Sequence, residues 1–177
     1  MGVNDKRRFP VFANFIQKTY PHACTVADVG GGHGNLSYYL YELGYTSTII
    51  DSRVTRLPGR LQRVMKKKSR KQGRVVEIPR IVGDVQDVDL QPFDIVVGLH
   101  PDEATEHMVR AAINLGKDFA IVPCCVFPID GVKRSQQCWF EYLASLSADI
   151  DTAELPIEGA NLVLYRRAAK SLFNRNR

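Results

Sequence analysis

Val26-Ala27-Asp28-Val29-Gly30-Gly31-Gly32-His33-Gly34-Asn35-Leu36 is the stretch whose reading decides the fold of this chain. Apolar and small residues lead into Asp28, a glycine-rich run follows, and Leu36, Leu40 and Leu43 recur at helical spacing. The pattern reads as strand, tight turn, helix. Glycine, having no Cβ, permits positive φ and lets a ligand lie against bare backbone, while free amides at the helix start attract polar or anionic groups. The turn therefore predicts a nucleotide-like guest.

Two cofactor classes compete for such a turn. A dinucleotide fingerprint, G-x-G-x-x-G, needs its third glycine where this chain has Asn35, whereas the spacing present is Asp28-x-Gly30-x-Gly32-x-Gly34. That spacing resembles motif I of the class I S-adenosylmethionine-dependent methyltransferases. The resemblance implies that Asp28 ends the first strand and that Gly30, Gly31, Gly32 and Gly34 make room for the methionine part of S-adenosylmethionine.

Outside this stretch, 177 residues with 45% hydrophobic and 24% charged side chains suit one globular domain with a substantial core. No run approaches the roughly 20 apolar residues of a membrane span. Met1 to Lys6 has no apolar signal core, and Lys6 stands where a myristoylation signal wants Ser or Thr. Cys24, Cys124, Cys125 and Cys138 contain no C-x-x-C and suggest reduced thiols rather than a disulfide framework. The expected compartment is reducing and intracellular, cytoplasm or nucleus, with no membrane partner. The net charge of +5 hides a polar molecule: residues 1–74 carry 14 Lys/Arg against 4 Asp/Glu, and residues 75–165 carry 5 against 15.

In chain order, a helix over 11–20 is stopped by Pro21, and the segment 1–21 reads as an N-terminal helix packed on the sheet edge. The helix after the glycine turn runs 34–43 to Gly44, and Thr46 to Ile50 is a β-branched second strand closed by Asp51. A carboxylate there, 21 residues beyond Gly30, can accept both hydroxyl hydrogens of a ribose. From Arg53 to Arg74 the chain holds ten positive charges and no acid, with Arg60, Arg63, Lys67, Arg70 and Arg74 at spacings of three and four. This predicts a basic amphipathic helix over 53–74, and a bound polyanion is the simplest reason to keep such self-repulsion. RNA is the expected partner, with Arg63, Lys67 and Arg70 as contacts; a solvated face or an import signal at Lys66 to Arg70 are the alternatives.

Residues 75–82 read as a third strand interrupted by Pro79, hence near an edge or bulge. Gly83-Asp84-Val85 follows. The methyltransferase resemblance implies that Asp84 meets the adenine amino group and the Val85 amide a ring nitrogen. Phe93 to His100 is a fourth strand, a helix reaches about Leu115, and Asp118 to Cys125 is a fifth strand ending in its own turn. The ends of strands one, four and five of a doubly wound sheet open onto one crevice, so Gly30 to Gly34, His100 to Glu103 and Pro123 to Cys125 are expected to face one another.

Gly98-Leu99-His100 with Val122-Pro123-Cys124-Cys125 resembles a narrower methyltransferase branch, one with a Leu-His motif paired to a late Cys-Cys, which includes eukaryotic enzymes that methylate tRNA ribose. Those relatives continue with Cys-Gly where this chain has Pro101-Asp102-Glu103. The resemblance places Leu99 on the cofactor side and Pro101, Glu103, Pro123, Cys124 and Cys125 on the acceptor side. His100 and Asp102 are the candidate catalytic groups, with Lys133 more remote; a histidine at a strand end can equally bond backbone and shape the pocket. The cysteines invite a metal reading with His100, but adjacent cysteines in an extended chain point to opposite sides, so no metal is expected.

Gln136 to Leu146 is a helix with Trp139, Leu143 and Leu146 inward, residues 150–155 and 160–165 form two strands joined by a turn, and Arg166 to Arg177 is a basic tail. A terminal antiparallel hairpin is expected of class I methyltransferases and not of dinucleotide dehydrogenases. The fold expected is a Rossmann-like α/β methyltransferase domain: a mostly parallel seven-stranded sheet with that hairpin, and helices on both faces. The function expected is an S-adenosylmethionine-dependent methyltransferase acting on RNA, with a protein partner able to help recognition. A catalytically silent module binding RNA or ribonucleoprotein, and a small-molecule or protein methyltransferase, are the alternatives.

Overall fold

The computed structural model describes residues 7–168, so most of the basic tail lies outside the described residues. Seven strands form one sheet: β1 (Thr25–Val29), β2 (Thr46–Asp51), β3 (Arg80–Val82), β4 (Ile95–Leu99), β5 (Asp118–Val122), β6 (Ile150–Glu154) and β7 (Leu162–Arg166). Their order is β3-β2-β1-β4-β5-β7-β6. Pairing is parallel from β3 to β5, and the hairpin β6–β7 joins β5 antiparallel. The expected sheet and terminal hairpin are both present.

Helices α1 (Arg8–Thr19), α2 (Asn35–Glu42), α3 (Gly59–Gln72), α4 (Ala104–Asn114) and α5 (Gln136–Ser145) flank the sheet. Strand alternation divides the core in two. Val26, Ile95, Val97 and Leu99 pack with Phe12 and Ile16 of α1 and Leu36 and Leu40 of α2. Ala27, Val96, Phe119 and Ile121 pack on the other side with Met108 and Val109 of α4 and Trp139 and Leu143 of α5. Tyr20 fastens α1 to the sheet, donating its hydroxyl to the Phe119 carbonyl at 2.6 Å and to the Arg166 carbonyl at 3.1 Å.

The bounds of three elements differ most from the sequence reading. Helix α1 begins at Arg8, three residues earlier than predicted, because Pro10 falls in the first turn, where its missing N–H costs nothing. The basic helix covers only Gly59–Gln72: residues 53–58 are irregular, and Pro58 immediately precedes the helix, while Gly73 at φ +65° ends it and leaves Arg74 outside. The third strand shrinks to Arg80–Val82 because Pro79 has no amide for the ladder and the Val76 amide is taken by Ser69 Oγ at 2.9 Å.

Helix α3 stands apart energetically. Met65 is its one fully buried residue, and neither core cluster contains any residue of it. A 3.0 Å ion pair from Lys68 to Glu42 ties it to α2. Arg60, Arg63, Lys66, Lys67, Arg70 and Lys71 are exposed. No helix among the described residues is long and apolar enough to cross a membrane.

Candidate active site

The glycine turn is wedged between β2 and the loop after β4. Gly30 has φ +63°, and a Cβ there would lie 2.7 Å from the Pro101 Cα; at Gly34, φ +80°, a Cβ would lie 2.5 Å from Ile49 Cδ1. Both positions thus need glycine for conformation, and Gly30 needs it for space as well, since the atom it meets is backbone. A Cβ on Gly31 would strike the Asp28 carboxyl at 2.8 Å, whereas the space beside Gly32 is open. The Gly32 carbonyl accepts from Thr55 Oγ1 at 2.5 Å and from Arg80 Nη2 at 2.7 Å, which fastens the turn to the chain beyond β2.

Asp28 lies beneath this turn, almost completely buried. Its Oδ2 accepts from the Ser37 hydroxyl at 2.6 Å and the Ser37 amide at 3.2 Å, and its Oδ1 has no partner. Burial pushes its carboxyl up to about 6, against the pull of the Ser37 hydrogen bonds. The side chain anchors the start of α2 under the turn and does not line the crevice described next.

A crevice of about 410 Å³ opens over the ends of β1, β2 and β4, within the roughly 300–1,000 Å³ of small-molecule sites. Its walls include Gly30, Asp51, Asp84 and Val85 together with His100, Pro101, Asp102 and Glu103. The topology thus brings together eight residues that the sequence reading assigned to cofactor, acceptor or catalysis. Gly31, Gly32, Gly34 and Leu99 do not line it, nor do Pro123, Cys124 and Cys125, although Cys124 meets the loop after β4 at Asp102. Arg63, Lys67 and Arg70 lie on α3 outside it.

Asp51 is buried at the crevice floor. It accepts the Gly32 amide at 2.8 Å and the Arg53 amide at 2.9 Å, and the Arg53 guanidinium grips both its oxygens at 3.0 and 3.1 Å. Burial alone would raise this carboxyl; the Arg53 and Gly32 hydrogen bonds outweigh it and hold it below the usual range. The donor set suits a nucleoside: a buried carboxylate for vicinal hydroxyls, with an exposed carboxylate and a backbone amide at Asp84 and Val85 for a base. A ribose at Asp51 must displace Arg53. The Arg53 side chain is 66% exposed and can swing into solvent, whereas the Asp51 side chain, at 2%, needs the incoming hydroxyls to replace the hydrogen bonds it loses.

The loop after β4 is held in a sparsely populated conformation. His100 has φ +59° and Asp102 φ +48°, a region costing a non-glycine residue about 1–2 kcal/mol. Pro101 between them packs on Gly30. Both His100 ring nitrogens are engaged, Nδ1 with Arg8 Nη1 at 3.3 Å and Nε2 with the Ala160 carbonyl at 3.3 Å. A guanidinium only donates, so Nδ1 accepts and Nε2 carries the hydrogen. Burial, with the Arg8 charge, lowers the His100 pKa and keeps the ring neutral; the Ala160 carbonyl and Asp102 oppose this. This is the pocket-shaping arrangement, and a proton-accepting Nδ1 would first have to lose Arg8.

Cys124 and Cys125 depart from the sequence argument. Their sulfurs are 3.4 Å apart, because β5 ends at Val122 and the period-two alternation of a strand ends with it. Cys124 Sγ also donates to Asp102 Oδ1 at 3.1 Å. Burial, together with the Asp102 carboxylate and Cys125, pushes the Cys124 thiol well above its ordinary value.

Sequence reasoning missed several residues of this region. Arg53 sits two residues after the ribose acid, where it read as part of a helix. Arg8 reaches His100 across 92 positions of sequence. Glu106 is fully buried and accepts from Arg110 at 2.8 Å, Tyr142 at 2.6 Å and the Ile129 amide at 2.9 Å, fixing the loop after β5 to α4. Those bonds outweigh its burial and keep it below the usual carboxylate range. An i,i+4 Glu–Arg pair was the only signal in the sequence. A second cavity, about 570 Å³, shares Glu103 and His107 with the crevice and is walled by Val126, Phe127, Ile129, Val132 and Lys133.

Comparison with known proteins bears on these features. A family model described as a methyltransferase domain matches residues 7–130. No curated protein matches the chain. Among solved structures, a protein assigned as an S-adenosyl-L-methionine-dependent methyltransferase from Methanococcus maripaludis is similar at a TM-score of 0.59 and 13% identity, covering 92% of this chain and 86% of that one. A ribosomal protein L11 methylase from Lactobacillus delbrueckii gives 0.58 and 16%, covering 95% and 80%. A sugar N-methyltransferase from Streptoalloteichus gives 0.54 and 14%, covering 93% and 89%. These likenesses are of fold. Because the family match runs from α1 through β5, and so takes in all the strands bordering the crevice, the chain belongs to the methyltransferase domain family, whose class I members draw their methyl group from S-adenosylmethionine.

Proposed function

We propose that the chain methylates RNA, with the crevice over β1, β2 and β4 holding the cofactor and α3 holding the polyanion. The observation that carries this reading is continuity: the chain leaves Asp51 at the crevice floor, crosses the glycine turn through Thr55, and runs directly into the exposed cations of α3. When bound, S-adenosylmethionine supplies a methyl group made electrophilic by a positive sulfonium sulfur. The protein's share is positioning and dryness. Asp51 would accept the ribose hydroxyls once Arg53 withdraws, Asp84 and the Val85 amide would hold the adenine edge, and Gly30 would offer bare backbone. His100, held by Arg8 and Ala160, sets the acceptor wall, and Asp102 and Glu103 turn carboxylates toward it. The narrower likeness to tRNA ribose methyltransferases supports a hydroxyl acceptor.

One observation favours a second reading. The partly apolar cavity adjoining the crevice through Glu103 and His107 suits a small or protein-borne acceptor with an apolar body. Calorimetric titration with S-adenosylmethionine and S-adenosylhomocysteine, followed by tritiated methyl transfer into RNA, protein and small-molecule pools, separates the two. Label in RNA supports the first reading, label confined to another pool the second, and RNA binding without cofactor binding a silent module. Unchanged turnover in His100→Ala would end any role for that ring as a base.

A further inference from the structure

Asp102, Cys124 and Cys125 bring one carboxylate oxygen and two sulfurs within 4.8 Å of one another, the described residues' one such grouping of His, Cys, Asp or Glu ligand atoms. The Sγ–Sγ separation is 3.4 Å and the Cys124 Sγ–Asp102 Oδ1 separation 3.1 Å. Around a zinc ion with Zn–S of about 2.3 Å, tetrahedral geometry places two sulfurs about 3.8 Å apart and a sulfur and an oxygen about 3.5 Å apart. Those two edges therefore need to open by only a few tenths of an ångström to admit such an ion, and the third, from Asp102 to Cys125, lies within 4.8 Å.

We propose that Asp102, Cys124 and Cys125 bind a zinc-type divalent cation at the rim of the cofactor crevice, leaving one coordination position open. Three protein ligands with a free fourth position is the arrangement of catalytic rather than structural zinc, and two thiolates select a thiophilic ion over magnesium or calcium. The ligands are held from two sides. Asp102 is fixed by the left-handed backbone at the start of α4, where its carbonyl accepts the Thr105 hydroxyl at 2.7 Å; Cys124 is fixed by Gln136 Nε2 on its carbonyl at 3.2 Å. Cys125 is exposed, so the ion has a path from solvent. On binding, both thiol protons leave to water.

Asp102 also lines the crevice, so the open position adjoins the space where an acceptor must stand. There the ion would bind the acceptor's oxygen or sulfur and lower its pKa, as metals do for bound water. That role rests on the methyltransferase reading; the binding of the ion does not.

Cobalt(II) titration of the reduced, metal-free protein tests the site, because thiolate-to-cobalt charge transfer in the near ultraviolet scales with the number of thiolates. We expect saturation at one equivalent, displacement by zinc, and about half the intensity in Cys125→Ser and in Cys124→Ser. Asp102→Asn should keep the band but weaken affinity by at least about tenfold, since even outer-shell partners of a metal cost about 10–100-fold. Cys138→Ser, on α5, should change nothing. A missing band, or a band unaltered in Cys125→Ser, overturns the proposal; that side chain is exposed, so its variant folds even where Cys124→Ser does not. S-adenosylmethionine binding is titrated separately without metal, so loss of the cofactor reading leaves the metal result standing, and the reverse.

Discussion

Gly30 and Gly32 are both left-handed, at φ +63° and +50°, but only Gly30 is pressed against another segment, with the place of its Cβ 2.7 Å from Pro101 Cα. Replacing each by alanine therefore separates conformational from steric cost. Gly32→Ala incurs the left-handed penalty alone, about 1–2 kcal/mol. Gly30→Ala incurs the same penalty plus an overlap with backbone that cannot rotate away, worth about 1–3 kcal/mol more by analogy with overpacked cores. The loss of unfolded-chain entropy is common to both variants and cancels in their difference. At about 2–4 °C per kcal/mol for a chain of this size, Gly30→Ala should melt about 2–12 °C below Gly32→Ala. Differential scanning calorimetry at one pH and salt checks this. The overlap also pushes Pro101, and with it His100 and Asp102, out of the crevice wall, so Gly30→Ala should lose more cofactor affinity than Gly32→Ala. Equal melting temperatures would refute the claim that the glycine turn and the loop after β4 are packed backbone to backbone.

Asp51→Asn removes the charge that holds the Gly32 amide and would hold a ribose; a hydrogen bond to a charged group is worth about 1.5–3 kcal/mol, so S-adenosylmethionine should bind about 10–150-fold more weakly by calorimetry. Asp28, whose folded pKa is raised to about 6, stabilises the fold most fully below its unfolded value near 4 and loses that contribution as pH rises through 6. Wild-type stability should therefore fall by about 3 kcal/mol across that window from this group, and Asp28→Asn should abolish that component of the slope in urea titrations at a series of pH values. Neutralising Arg63, Lys67 and Arg70 together should reduce the slope of log affinity against log salt for single-stranded RNA by about 2, roughly 0.7 per lost phosphate contact; an unchanged slope removes α3 from the interface.

What the sequence made legible follows from how local the causes are. The glycine turn, β2 closing on Asp51, and the terminal hairpin each rest on a period or a turn residue within a few positions, and those elements stand where expected. The limits of α3 and β3 were less legible, because Pro58 and Pro79 act through particular amides and their competitors, such as Ser69 on Val76. The assembled crevice depended on non-local packing. Topology explains why Asp51, Asp84 and His100 meet, but nothing nearby in sequence announces that Arg8 closes on His100. Nor does it announce that Arg53 folds back onto Asp51 in place of continuing a helix. The cysteines were misread for a definite reason: a rule for extended chain was applied two and three residues past Val122, where the strand stops.

If the chain holds RNA as proposed, the grip of Arg53 on Asp51 couples that RNA to the nucleoside. Asp51 cannot serve the guanidinium and a ribose together, so a bound nucleoside sets one cation free at the head of the basic segment, and a phosphate that captures that cation leaves the carboxylate open for the nucleoside. Such linkage is reciprocal: cofactor would tighten RNA by the same factor by which RNA tightens cofactor. Its ceiling is the worth of the Arg53–Asp51 pair itself, and it acts by biasing the order of assembly toward the loaded protein.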